Sequence, residues 1–112
     1  MMKKDKIGIC VIGVGRAGMI HARNFARGGL HAELVAVVDP FEEAVQKACR
    51  ELELTTYYLD YHEALRDEHV DAVVVVSPTV YHKEIVVAAA QAGKHILCEK
   101  PMALNIDQAD AM

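Results

Sequence analysis

Short apolar runs alternate along the chain with longer stretches whose apolar residues recur at helical spacing. Ile7 to Ile12 is mostly apolar and β-branched and ends at Gly13, which predicts a strand buried on both faces. Ala17 to Ala26 predicts a helix with Met19, Ile20 and Phe25 on its apolar face, ended by Gly28 and Gly29. Leu34 to Val38 predicts a second strand, closed by Asp39-Pro40. In Phe41 to Glu53, the residues Ala44, Val45, Ala48, Cys49 and Leu52 form one stripe of a second helix. Thr55 to Tyr58 predicts a short strand near an edge, and Asp60 can cap a short helix holding Ala64 and Leu65. Ala72 to Val76, with four consecutive valines, is the strongest strand signal. Tyr81 to Ala92 predicts an alanine-rich helix stopped by Gly93, and His95 to Cys98 a fifth strand. Asn105 with Gln108 resembles a capping box opening one more helix.

Strict alternation of strands and helices, with strand runs buried on both faces, predicts an α/β fold. Right-handed crossovers make it a doubly wound parallel sheet of about five strands, Rossmann-like in layout. Composition narrows the picture without changing it. The chain has 112 residues, 53% of them apolar, and 12 basic against 16 acidic residues give a net charge of −4. One core fits that length, and disorder does not fit that apolar fraction. No apolar run approaches the ~20 residues of a membrane-spanning helix. Met1 to Lys6 is too charged for a signal peptide. The acidic balance argues against binding along a nucleic-acid backbone. Cys10, Cys49 and Cys98 are odd in number and widely spaced, which predicts neither disulfides nor zinc but a reducing cytoplasm. The six histidines show no metal-ligand spacing.

The chemistry begins after the first strand, at Gly13-Val14-Gly15-Arg16-Ala17-Gly18. A G-x-G-x-x-G is weak by itself, but this one follows a predicted strand and opens a predicted helix. Gly13 allows the tight turn, Gly15 lets the backbone approach a pyrophosphate, and Gly18 lets helix pack closely on strand. The helix start, Arg16 and Ala17 included, offers N–H groups and partial positive charge to that phosphate. Asp39 ends the second strand 21 residues after Gly18, where an acidic residue is expected to accept hydrogen bonds from an adenosine ribose. A carboxylate there favours NAD. Arg16 is the counterweight that could accommodate the 2′-phosphate of NADP. The bland alternative reads the glycines as turn residues and Asp39 as a loop cap.

Two later loops follow strands and border the same crevice, because ligands of open α/β sheets bind at the carboxyl ends of strands. The first holds Ser77-Pro78-Thr79 and then Tyr81-His82. Thr79 could equally cap the next helix, and His82 could be an exposed helix residue. The second is Cys98-Glu99-Lys100-Pro101. Together, G-V-G-R-A-G, V-V-D-P, S-P-T-V-Y-H and above all A-G-K-H-I-L-C-E-K-P-M-A resemble the Gfo/Idh/MocA family of oxidoreductases, from Ile7 onward and in the right order.

The resemblance implies hydride transfer between a nicotinamide cofactor and a sugar, cyclitol or related polyol. It implies that Lys100 lies at the reacting centre and assists proton transfer at the reacting hydroxyl. That role needs a lysine whose pKa is drawn below its ordinary value by burial or a neighbouring cation. Glu99 is similar to the residue that holds the nicotinamide ribose, Pro101 to the one that shapes the turn. Ser77, Pro78, Thr79 and His82 match the family's cofactor-side loop. Family members run to several hundred residues, with a second α/β domain that forms the substrate pocket. Residues 1–112 are therefore expected to be a cofactor domain incomplete at its C-terminus, with the substrate domain absent and the chain inactive alone. A small polyol or sugar would be a partner only of a full-length form. An unpaired edge on the fifth strand predicts self-association into a homo-oligomer. The alternatives are a nucleotide-binding or sensing module without chemistry, and a self-associated fragment whose fold persists without ligand.

Overall fold

The computed structural model describes residues 7–27, 32–76 and 82–98. In chain order these form β1 (Ile7–Ile12), α1 (Arg16–Ala26), β2 (Ala32–Val38), α2 (Glu42–Leu52), β3 (Tyr57–Tyr58), α3 (Tyr61–Leu65), β4 (Ala72–Val75), α4 (His82–Gln91) and β5 (His95–Cys98). The strands make one sheet in the order β3-β2-β1-β4-β5. Each adjacent pair is parallel. The doubly wound sheet is therefore present, and the order reverses between β1 and β4, the point where such sheets open a ligand crevice.

The continuous apolar runs have a simple cause. Side chains alternate between the two faces of a strand, and here both faces are covered. Ile9 and Val11 of β1 pack with Val37, Val74, Ala22, Val45 and Ala48 on the side of α1 and α2. Cys10 and Ile12 pack with Val38, Val73, Val75, Leu65, Ile85 and Ala89 on the side of α3 and α4. Cys10 is a core residue, and burial pushes its thiol up to about 12, which leaves it a packing group and not a nucleophile.

Most boundaries differ from the sequence pattern by a residue or two. β2 begins two residues earlier than the pattern predicted, and β3 is shorter than Thr55 to Tyr58. One assignment was wrong. Ile20 is 53% exposed, and the buried stripe of α1 runs through Gly18 and Ala22, flanked by Met19 and Phe25. The apolar pattern missed it because glycine and alanine carry little hydrophobic signal, yet they are what let α1 lie close to the sheet. Gly28 and Gly29 and the predicted Asn105 helix lie outside the described residues.

The amino end of the sheet is tied down by polar groups. The Gly8 amide donates to Asp71 Oδ2 at 2.7 Å. Asp67 accepts from the Tyr58 hydroxyl at 2.7 Å and from the His69 amide at 2.8 Å. Burial alone would raise the Asp67 carboxyl, but these donors hold it below its ordinary value. The ammonium of Lys94 donates to the carbonyls of Asp67 (3.1 Å) and Val70 (2.5 Å), bracing the turn into β4. Lys94 belongs to the A-G-K-H segment of the family-like motif, and its work is structural. Lys94→Met will lower stability by about 1–3 kcal/mol, the cost of leaving part-buried acceptors without their charged donor. Denaturant unfolding checks this, and an unchanged midpoint would contradict it.

Candidate cofactor site

The site is built at the carboxyl end of β1, where the chain must turn sharply into α1. Gly13 takes φ of 99°, a conformation that side chains resist, and so makes the turn. Its amide donates to the Val38 carbonyl at 2.7 Å, fastening the turn to the end of β2. Gly18, one turn into α1, lies so close beneath that a Cβ on it would run into the Gly13 carbonyl. Above Gly15 the space is open, and a Cβ there would find no atom within 4 Å. Gly13 thus makes the turn, Gly18 allows the close packing, and Gly15 leaves open space between them.

The start of α1 is poised for an anion. Gly15 is its N-cap and supplies no side-chain cap, and no acidic residue lies in the first turn. The first-turn amides, those of Arg16 and Ala17 among them, point out of the helix end with its partial positive charge. Arg16 is exposed at the first helical position. It lines a groove of ≈ 520 Å³ between α1 and α2 that is also bordered by Gly15, Met19, Ala44 and Lys47. An ion pair closes the far end of that groove, with Arg23 Nη2 3.1 Å from Glu51 Oε1.

Asp39 sits where β2 ends, and its side chain turns toward the glycine turn. Oδ2 accepts from the Val14 amide at 3.1 Å, and Oδ1 from the Phe41 amide at 3.0 Å. The Asp39 amide itself donates to the Tyr58 carbonyl of β3 at 3.3 Å. Gly13, Gly15, Arg16, Ala17, Gly18 and Asp39 are thus gathered at one end of the sheet. His82 opens α4, but its side chain is outside the described part, as are Ser77, Pro78, Thr79, Glu99, Lys100 and Pro101. Val14 and Phe41 were not singled out from the sequence. They act through main-chain N–H groups, which leave no trace in residue type.

The arrangement suits a dinucleotide: an uncapped helix start for the diphosphate, open space above it, and a carboxylate facing the same turn. The family described as an oxidoreductase family with an NAD-binding Rossmann fold matches residues 7–112. The chain belongs to the Gfo/Idh/MocA family. Its curated relatives include a myo-inositol 2-dehydrogenase of Thermotoga maritima, 43% identical over 104 residues, covering 93% of this chain and 31% of that protein. Another is an NAD(+)-dependent scyllo-inositol 2-dehydrogenase of Bacillus subtilis, 36% identical over 108 residues, covering 96% of this chain and 32% of that protein. Among solved structures, scyllo-inositol dehydrogenase from Lactobacillus casei, with bound NAD(H) and scyllo-inositol, superposes with a TM-score of 0.87 at 34% identity. That superposition covers 94% of this Gfo/Idh/MocA chain and 31% of the Lactobacillus protein. The chain spans about a third of the length of these relatives. Among the described residues, no helix is long and apolar enough to cross a membrane.

Proposed function

We propose that this chain is the dinucleotide-binding part of an oxidoreductase that transfers a hydride between a nicotinamide cofactor and a sugar, cyclitol or related polyol. The observation that carries the reading is the Asp39 carboxylate facing a glycine turn whose helix start is uncapped and open above Gly15. The glycine turn and the amides of Arg16, Ala17 and Gly18 bind the diphosphate, and Asp39 accepts hydrogen bonds from the adenosine ribose. The nicotinamide, when bound, supplies the two-electron redox chemistry.

The remaining roles follow the family resemblance. Ser77, Pro78, Thr79 and His82 border the cofactor. Glu99 holds the nicotinamide ribose and Pro101 shapes the turn. Lys100 moves the proton of the reacting hydroxyl. Residues 1–112 form the cofactor domain of a longer protein, whose further sequence encloses the polyol. Among the described strands β5 lies at the sheet edge, which supports self-association, the free Cys10 and Cys49 support a reducing cytoplasm, and the charge of −4 supports a partner that is not nucleic acid.

Calorimetric titration of this chain tests the cofactor reading. NAD+ will bind at least about tenfold more tightly than NADP+, because a 2′-phosphate brought against Asp39 meets a like charge. Equal affinities would mean that Arg16 outweighs the carboxylate, and absence of binding at millimolar NAD+ would count against the reading itself.

A further inference from the structure

Two successive amides of the glycine turn are fastened to the end of β2, in different ways. Gly13 donates to the main-chain carbonyl of Val38, a bond any sequence could make. Val14 donates to the side chain of Asp39, a bond that depends on which residue stands there. The carboxylate is not free to swing, because its other oxygen accepts from the Phe41 amide in a two-residue side-chain turn. Val14 itself is only 6% exposed, so its position under the turn is fixed by packing as well.

We propose that Asp39 is a latch for the glycine turn as well as the ribose acceptor: it holds the turn in its diphosphate-binding shape before any cofactor arrives. The proposal rests on the reading above for the ligand, but the latch acts on the chain alone. One lone pair on each carboxylate oxygen goes to the chain, and one remains for a ribose hydroxyl. Asp39 is then a positioning residue for the diphosphate, which it does not touch. A consequence is that preference for NAD over NADP cannot be rewritten at residue 39 without loosening the turn that both cofactors need.

The ¹⁵N-labelled chain supplies two readouts. In Asp39→Asn, one oxygen becomes an NH₂ group facing an N–H donor. The remaining oxygen keeps the bond from Phe41 in the two-residue turn, which asparagine favours, so amide exchange at Val14 will quicken about tenfold or more, while Val11 and Val74 in the core keep their rates. Inorganic pyrophosphate is then titrated and followed at the amides of Arg16, Ala17 and Gly18. A residue that only grips ribose would leave pyrophosphate binding unchanged, or tighten it, once its negative charge is gone. The latch predicts the opposite sign, a weakening of about threefold or more, despite the relieved repulsion. Asp39→Glu keeps the charge but moves it by one methylene, and it will also release Val14. Should the asparagine variant fail to fold, the glutamate variant carries both readouts. Unchanged exchange at Val14, or pyrophosphate bound as well or better by the asparagine variant, overturns the latch. A native chain that binds neither pyrophosphate nor NAD+ removes the proposed function instead, and the exchange rates still decide the latch.

Discussion

Gly18→Ala will destabilise the fold by about 2–3 kcal/mol, even though alanine is ordinarily the better helix residue by about 1 kcal/mol. The sign reversal is the test. Gly18 is buried in the first turn of α1, and a methyl there would run into the carbonyl of Gly13. That obstacle is main chain, so no side chain can rotate aside to make room. Nor can Gly13 move easily, since its φ of 99° makes the turn and its amide is held by Val38. Relief requires α1 to lift away from β1, which opens the packing of Ala22 against Val11. For a domain near 100 residues the loss corresponds to a melting temperature lower by roughly 10 °C. A thermal midpoint equal to or above that of the native chain would contradict the close packing of α1.

Lys100→Ala, made in a form that carries the substrate-binding part, will lower kcat by about 10²–10⁴-fold, the range of a positioned proton-transfer group. Affinity for NAD+ will stay within about threefold, because the role proposed for Lys100 is at the substrate hydroxyl and not at the diphosphate or adenosine. In the sequence Lys100 comes two residues after β5, a strand parallel to β4 and so ending at the same end of the sheet as β1 and β2. Turnover that survives the substitution would favour a nucleotide-sensing role. Loss of NAD+ binding along with turnover would mean that Lys100 belongs to the cofactor side. Steady-state kinetics with inositols and calorimetry on the same preparations separate these results.

The parallel sheet was legible because burial on both faces leaves continuous apolar runs, and Ala72–Val75 and Ile7–Ile12 carry such runs plainly. The stripe of α2 was legible for a related reason: Val45 and Ala48 recur at helical spacing and are buried. The face of α1 was misread at Ile20, since its true contact surface is made of small residues. At the site, the turn at Gly13, the close packing at Gly18 and the place of Asp39 at the end of β2 could be read from spacing, because each demands a residue type or position. The bond from Val14 to Asp39 could not, because an amide donor is the same in every residue but proline. The work of Lys94 was hidden for another reason. Its acceptors, the carbonyls of Asp67 and Val70, lie more than twenty residues away in sequence and are joined to it only by the fold.

In the proposed function the open space above Gly15 receives a diphosphate. Gly15 has φ of −71° and ψ of −164°, an extended conformation that valine also adopts, and a side chain there meets no protein atom within 4 Å at its Cβ. Gly15→Val will therefore fold, with a stability cost of about 1 kcal/mol for a poorer N-cap. Titration of NAD+ into the native chain and into this variant, with melting curves on both, is the most direct measurement. The native chain will bind saturably, and a folded variant will bind at least about tenfold more weakly. Equal NAD+ affinity in the two would mean that no diphosphate sits above Gly15.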